Sequence, residues 1–354
     1  MEKLNSLEEI CRKILPADGK IMNELYRVWN NKCIPLGSLG WLSQTFIQIG
    51  GIQRTLHPNI EKKLTLVMAA DNGVVEEGVS QSDYHVTTQV VENMVRKKAS
   101  ISIMSQYGGS DYLVVDMGMK EPVAGTIDLA GVRETNNMVK GPAMTRQAAL
   151  AAVLAGTELA MEKAAEGYGL FSTGEMGIGN TTTSAAMVAV FSGKEPEMVT
   201  GRGAGLSTEG LKRKIQVIKE AIALNSPDQE DPIDVLAKVG GLDIAGLTGV
   251  FLGGAAAGIP VVIDGFFASV AALTAYKICP ASRDVMIASH CSKEPGAALT
   301  LEMLGLKPII FGEFHLGEGS GAILLFPMLD QVFNLYEKLP SFEEGQIETY
   351  LPLK

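Results

Sequence analysis

Three short segments of this 354-residue chain carry residue types whose spacing could do chemistry. The first is Ser172-Thr173-Gly174-Glu175-Met176-Gly177-Ile178-Gly179-Asn180-Thr181-Thr182. Its glycines let the backbone approach an anion, and Asn-Thr-Thr opening a helix would offer unpaired N–H groups at the positive end of the dipole. The pattern is neither GxxxxGK[ST] nor GxGxxG, so nucleoside triphosphates and dinucleotides are poorly supported. A phosphate cradle and a plain strand-to-helix turn both fit it. The second segment, Val199-Thr200-Gly201-Arg202-Gly203-Ala204-Gly205-Leu206, adds a cation to another glycine loop, and Lys212-Arg213-Lys214 follow. A basic run is ordinarily a solvated face, but beside a glycine loop one such cation can anchor a phosphate. The third is Leu316-Gly317-Glu318-Gly319-Ser320-Gly321-Ala322, next to the apolar run Ile323–Phe326. Partial desolvation would raise the Glu318 pKa and suit it to general-base work near neutral pH. The plainer alternative is a glutamate that complements a helix start and does no chemistry.

Other reactive residues do not assemble by spacing. His57, His85, His290 and His315 lie far apart, with no HExxH pattern. Ser289-His290-Cys291-Ser292 lacks the G-x-S-x-G elbow of a nucleophilic serine. Asp71, Asp116, Asp243 and Asp264 sit at strand ends or in glycine turns, where an aspartate caps the turn rather than binds metal. The expectation is no metal and no cofactor.

Charge narrows the partners. Forty acidic against thirty basic residues give a formal charge of −10, which argues against a nucleic-acid partner. An anionic substrate must therefore be held by local cations and backbone N–H groups. Cys11, Cys33, Cys279 and Cys291 form no CxxC pair, and the N-terminus MEKLNSLEEI has no secretory pattern, so a cytoplasmic chain with reduced thiols is expected. Asp264 is the only acidic residue between Val250 and Tyr276, but Gly253, Gly254, Gly258, Pro260 and Gly265 cut the segment into short pieces. It reads as buried core, not as a membrane span.

The elements that must position these segments follow from the apolar pattern. Strands are predicted at Leu64–Ala70, Tyr112–Asp116, Gly169–Thr173, Pro260–Asp264, Val285–Ser289 and Pro308–Gly312. Helices are predicted at Arg146–Glu166 behind an N-cap Thr145, at Thr181–Phe191 and at Leu211–Leu224. Apolar strands alternating with helices imply an α/β fold, a doubly wound and mostly parallel sheet with helices on both faces. Ligands bind beyond the carboxyl ends of such strands, so the loops after Ala70, Thr173, Asp264, Ser289 and Gly312 are the ones to watch. Residues 1–60 and 328–354 hold helical patterns without a convincing strand, and pair as a small helical domain beside a catalytic domain over 61–327.

In order along the chain, several motifs resemble the nicotinate-nucleotide–dimethylbenzimidazole phosphoribosyltransferases of cobamide lower-ligand synthesis. They are Gly37-Ser38-Leu39-Gly40, Ala70-Asp71-Asn72-Gly73-Val74 with Glu77-Gly78-Val79, Gly141-Pro142-Ala143-Met144, the Gly174–Thr182 loop, Val239-Gly240-Gly241-Leu242-Asp243, Asp264-Gly265-Phe266, Ser289-His290 and Leu316–Gly321. The resemblance spans nearly the whole chain. It implies that nicotinate mononucleotide donates its ribosyl phosphate to a lower-ligand base with inversion, giving α-ribazole phosphate and nicotinate. It also implies Glu318 as the general base and Glu175 as a glutamate near the donor. Gly177, Ile178, Gly179 and Asn180 would contact phosphate and ribose, and Gly203, Lys214 and Ser292 the phosphate or nicotinate. Ser82 would line the acceptor pocket, with Leu316 and Gly317 flanking the base, and the family precedent is a homodimer.

Departures cluster near the acceptor. Val90 stands where the family has glutamine, although Gln89 is adjacent, and Asn72 replaces a histidine. Ile34-Pro35-Leu36 replaces Lys-Pro-Pro, Trp41 replaces an arginine, and Arg96-Lys97-Lys98 replaces small residues. Two alternatives therefore stand beside the benzimidazole reading. One is a phenol or p-cresol acceptor, with the chain as one subunit of a heterodimer; the other is a non-catalytic binding subunit of such a pair.

Overall fold

Lys63–Ala70 is buried at every position, as a strand must be when helices cover both faces of its sheet. This strand, β1, belongs to a six-stranded sheet with β2 (Asp111–Gly118), β3 (Ile127–Asp128), β4 (Leu170–Met176), β5 (Val261–Ile263) and β6 (Met286–Ala288). The order is β3-β2-β1-β4-β5-β6 and every pairing is parallel. Chain order reverses between β1 and β4, the place where an open sheet leaves a crevice beyond its strand ends. The computed structural model describes residues 2–350, and of residues 2–6 the backbone only.

The helices are α1 (Glu2–Lys13), α2 (Gly19–Asn30), α3 (Trp41–Gln53), α4 (His85–Val95), α5 (Ser100–Gly108), α6 (Arg146–Ala165) and α7 (Asn180–Ser192). They continue with α8 (Pro196–Val199), α9 (Thr208–Asn225), α10 (Pro232–Val239), α11 (Leu242–Ala257), α12 (Phe266–Ile278), α13 (Pro295–Leu304) and α14 (Ser320–Lys338). Thr145 caps α6 as its type predicts, its hydroxyl accepting the Ala148 N–H at 3.1 Å. The apolar stretch after Val250 is core: α11 is buried through Ala255, and glycines let it lie directly on α6. A Cβ on Gly253 would fall 2.5 Å from the Thr157 carbonyl oxygen. Among the described residues no helix is long and apolar enough to cross a membrane.

Three expectations needed correction. Pro308–Gly312 is not a ladder strand: only Ile310 bridges to His290, and Phe311 and Gly312 are exposed, so the chain leaves the sheet edge after one contact. Ile127–Asp128, too short to show a period, adds the opposite edge beside Val115 and Asp116. β4 runs on through Gly174, Glu175 and Met176, so the turn begins only at Gly177.

At the chain ends, Trp29 of α2, Phe46 of α3 and Tyr336 of α14 pack ring on ring, with Phe46 and Tyr336 centroids 4.4 Å apart. This cluster supports the small unit that we propose from 1–60 with 328–354, of which residues 1 and 351–354 lie outside the described residues. Helix α1 departs from it and packs on α6 and α11 in the sheet layer.

Candidate active site

Parallel strands all end on the same side, and the loops after β4, β5 and β6 enclose a cavity of about 260 Å³ there. Leu316, Gly317 and Glu318 close one side of it, and Arg202 and Gly203 another.

Glu318 sits in an unusual turn. Gly317, Glu318 and Gly319 have φ of 85°, 61° and 88°, three consecutive left-handed residues, of which only the glutamate pays a steric penalty of about 1 kcal/mol. The turn is held from below. Asp264, at the end of β5, is buried, and its Oδ2 accepts the Gly319 N–H at 3.1 Å while Oδ1 accepts that of Ala322 at 3.0 Å. Gly174 of β4 makes room for the turn, since a Cβ there would lie 2.8 Å from the Glu318 carbonyl oxygen. The Glu318 carboxyl is half-buried and points to the N-terminus of α5, Oε2 lying 3.4 Å from the Ile101 nitrogen. Burial raises its pKa, and the Ile101 and Ser100 N–H groups pull it back. A carboxyl so placed is poorly solvated and more basic than a free glutamate, as suits a general base.

The opposite side suits an anion. Helix α7 starts at Asn180 behind Gly179 (φ 90°), which as a glycine has no side chain to cap the first turn. The Ile178 peptide is fixed from two directions, its N–H donated to Thr87 Oγ1 at 3.2 Å and its carbonyl facing the Asn72 amide at 3.5 Å. Lys214 of α9 lies fully buried behind this loop and donates to Thr181 Oγ1 at 2.7 Å. Burial lowers its pKa to about 8, and Glu294 opposes that shift. A buried ammonium with one acceptor among the described residues has donors to spare for a bound anion. The Gly203 N–H is taken by Glu294 Oε1 at 3.1 Å, and Arg202 bonds to the Leu206 carbonyl at 2.8 Å.

Carboxyls gather on the floor. Glu175 lines the cavity, accepts from the Asn180 amide, and is pushed up to about 8 by burial and then by the Asp243 charge. Asp243 and Asp264 are raised to about 7, burial again being the first cause. Among the described residues no three His, Cys, Asp or Glu side chains are arranged to hold a metal ion.

Of the residues singled out from sequence, Glu318, Glu175, Gly177, Ile178, Gly179, Asn180, Gly203, Ser292, Leu316 and Gly317 all border this cavity. Lys214 stands one layer behind it. Ser82 does not border it; Ser80 and Gln81 do, next to Val79, Val90 and Met176. Trp41 is likewise elsewhere, at the start of α3 with the Lys307 ammonium 4.7 Å from its ring centre. Asp71, Asp116, Asp243 and Asp264 do accept backbone N–H groups, but two of them also brace the site. The supports missed in sequence are Thr87 and Glu294. Nothing local marks Thr87, a lone threonine on α4, whereas Glu294 before Pro295 showed only a helix start.

A phosphoribosyltransferase family model matches residues 14–347. The nicotinate-nucleotide–dimethylbenzimidazole phosphoribosyltransferase of Clostridium acetobutylicum is 43% identical over 351 residues, 99% of this chain and 100% of that one. The enzyme of the same name from Alkaliphilus metalliredigens is 43% identical over 347 residues, 97% of this chain and 99% of the other. Among solved structures, CobT from Thermus thermophilus superposes with a TM-score of 0.89 at 36% identity, covering 94% of this chain and 100% of that one.

Proposed function

The chain belongs to the nicotinate-nucleotide–dimethylbenzimidazole phosphoribosyltransferase family, and on that premise we propose how its cavity carries out the transfer. It is a phosphoribosyltransferase of cobamide lower-ligand activation. Nicotinate mononucleotide binds with its phosphate on the Gly177–Thr181 turn and Lys214, which places C1′ toward Glu318. The base lies on the wall formed by Val79, Val90 and Met176. One ring nitrogen of the base attacks C1′ from the face opposite the nicotinate. The C1′–N bond breaks with its electron pair returning to the pyridinium, which leaves as neutral-ring nicotinate and needs no acid. The proton on the second ring nitrogen of the base passes to Glu318. In-line displacement turns the β-linkage into an α-linkage, and positioning with proton removal accounts for the catalysis.

One observation carries this reading: a half-buried carboxylate in a left-handed turn and an uncapped helix start line a single cavity, with a buried lysine directly behind the helix start. Glu318→Gln should keep the fold and donor affinity and lose about two orders of magnitude in nicotinate release with dimethylbenzimidazole. Near-normal turnover would remove Glu318 from the mechanism. A homodimer in the cytoplasm is part of the same proposal; four free cysteines fit a reducing compartment, and sedimentation of the purified chain reports the oligomer.

A further inference from the structure

His290 borders the cavity, and the transfer described above leaves it without a task. Its ring is buried just past the end of β6, with Nδ1 lying 3.0 Å from Ser289 Oγ. That hydroxyl is itself 2.6 Å from the Ile263 carbonyl oxygen. A carbonyl only accepts, so the Ser289 hydrogen is committed to Ile263. Ser289 Oγ therefore meets Nδ1 with a lone pair, and Nδ1 carries the ring hydrogen. Burial lowers the ring's pKa to about 4, so the imidazole is uncharged at neutral pH. A neutral ring with its hydrogen on Nδ1 has a bare lone pair at Nε2, and Nε2 has no hydrogen-bond partner among the described residues.

The position of that lone pair is equally defined. The Cε1–Nδ1 edge packs on Gly321, three residues beyond Glu318, where any Cβ would collide with the ring. Nε2 lies 3.4 Å from the Cβ position of Gly265, which is in turn 3.6 Å from Ser292 Cβ. Nε2 thus lies beside Gly265 and Ser292 on the wall of the same cavity that Glu318 and the Gly177–Thr181 turn line. A nucleotide with its phosphate on that turn and C1′ toward Glu318 has its sugar in the cavity that His290 borders.

We propose that His290 is a specificity-determining residue whose Nε2 accepts a hydrogen bond from a ribose hydroxyl of the donor nucleotide; this rests on the donor reading given above. The donor's chemistry leaves no other partner. Its carboxylate and phosphate dianion only accept, its pyridinium nitrogen bears no hydrogen, and the N–H of the incoming base is directed to Glu318. The 2′- and 3′-hydroxyls alone can donate. A site built for a hydroxyl rejects the analogue without it, because a buried polar group is then left unpaired.

The test is calorimetric titration, without acceptor base, of nicotinate mononucleotide and its 2′-deoxy and 3′-deoxy analogues. The wild-type chain should bind one of the two deoxy donors about fivefold or more weakly than the parent. In His290→Phe the parent should weaken by a similar factor while that deoxy donor changes less than twofold, so the preference disappears. His290→Gln, whose amide oxygen also accepts, should restore part of it. Equal wild-type affinity for all three donors overturns the proposal without recourse to any variant. So does a His290→Phe chain that keeps the preference or weakens toward all three donors alike. Failure of the wild-type chain to bind the parent nucleotide is a different result, since it overturns the donor reading itself and the proposal with it.

Discussion

Asp264 Oδ2 accepts the Gly319 N–H at 3.1 Å, so a buried carboxylate at the end of β5 holds the residue next to the proposed base. β5 is only three residues long, and its last contribution is to fix a turn fifty-five positions downstream.

Removing that acceptor should be costly. Asp264→Ala leaves the Gly319 and Ala322 N–H groups without it, and should lower unfolding stability by about 1–3 kcal/mol and turnover tenfold or more. Asp264→Asn retains one acceptor oxygen and should fall between the two. Urea midpoints and nicotinate release measured side by side check the ranking; an alanine variant with wild-type turnover contradicts it.

The floor carboxyls make stability depend on pH. Glu175, near 8, and Asp243 and Asp264, near 7, bind protons more tightly folded than unfolded, where they titrate near 4. Their contribution is complete below the unfolded value and is lost as pH rises through about 8. His290, shifted down, opposes this between about 4 and its ordinary 6.5. The lowered Cys279 thiol and Lys214, shifted down to about 8, offset part of it toward pH 8, leaving the three carboxyls the larger effect. The urea midpoint should therefore drop from pH 6.5 to pH 8, and Glu175→Gln should flatten that slope. A midpoint that rises over this interval refutes the assignment.

Lys214 should report on the donor's phosphate. Lys214→Met should raise the donor KM about tenfold to a hundredfold, the range for a lost charged hydrogen bond, and leave the phosphate-free nicotinate riboside nearly unaffected. With the free ammonium titrating near 8, wild-type kcat/KM for the nucleotide should decline above that pH. Equal losses on both donors would place Lys214 outside the anion site.

Gly177 has no room for a side chain, because a Cβ would lie 2.6 Å from both the Ala70 carbonyl oxygen and Asp243 Oδ2. Gly177→Ala should cost about 1–3 kcal/mol and displace the turn. Thermal melts and donor titration check this together: an alanine variant that melts and binds like wild type would show that the turn yields freely.

Much of this was legible in the residues. Apolar runs ending in glycine or aspartate located β1, β2, β4 and β5, a Val- and Ile-bearing run ending at Ser289 located β6, and the glycine segments all reached the same cavity. The sequence could not separate Gly174, a strand residue that makes room for Glu318, from Gly177 and Gly179, which form the turn. Pro308–Gly312 looked like a strand because composition does not record whether a partner edge continues. Asp264 and Asp243 were recognisable as caps; that Asp264 caps the turn of the base depends on a contact across the sheet that no local pattern encodes. The basic run by itself did not separate Lys214 from Lys212 and Arg213; the family resemblance pointed to Lys214, and it is the one of the three that is buried.

Helix α14 starts at Ser320, two residues past Glu318, and its far half places Val332 and Tyr336 in the aromatic cluster with Trp29 and Phe46. Its 19 residues span about 28 Å, with Pro327 interrupting the backbone ladder midway. A tilt of roughly two degrees at the aromatic end would shift the other tip by about 1 Å over that length. The bundle at the chain ends is therefore mechanically connected, through α14, to the proposed base, and loosening it should shift a carboxyl that it never touches.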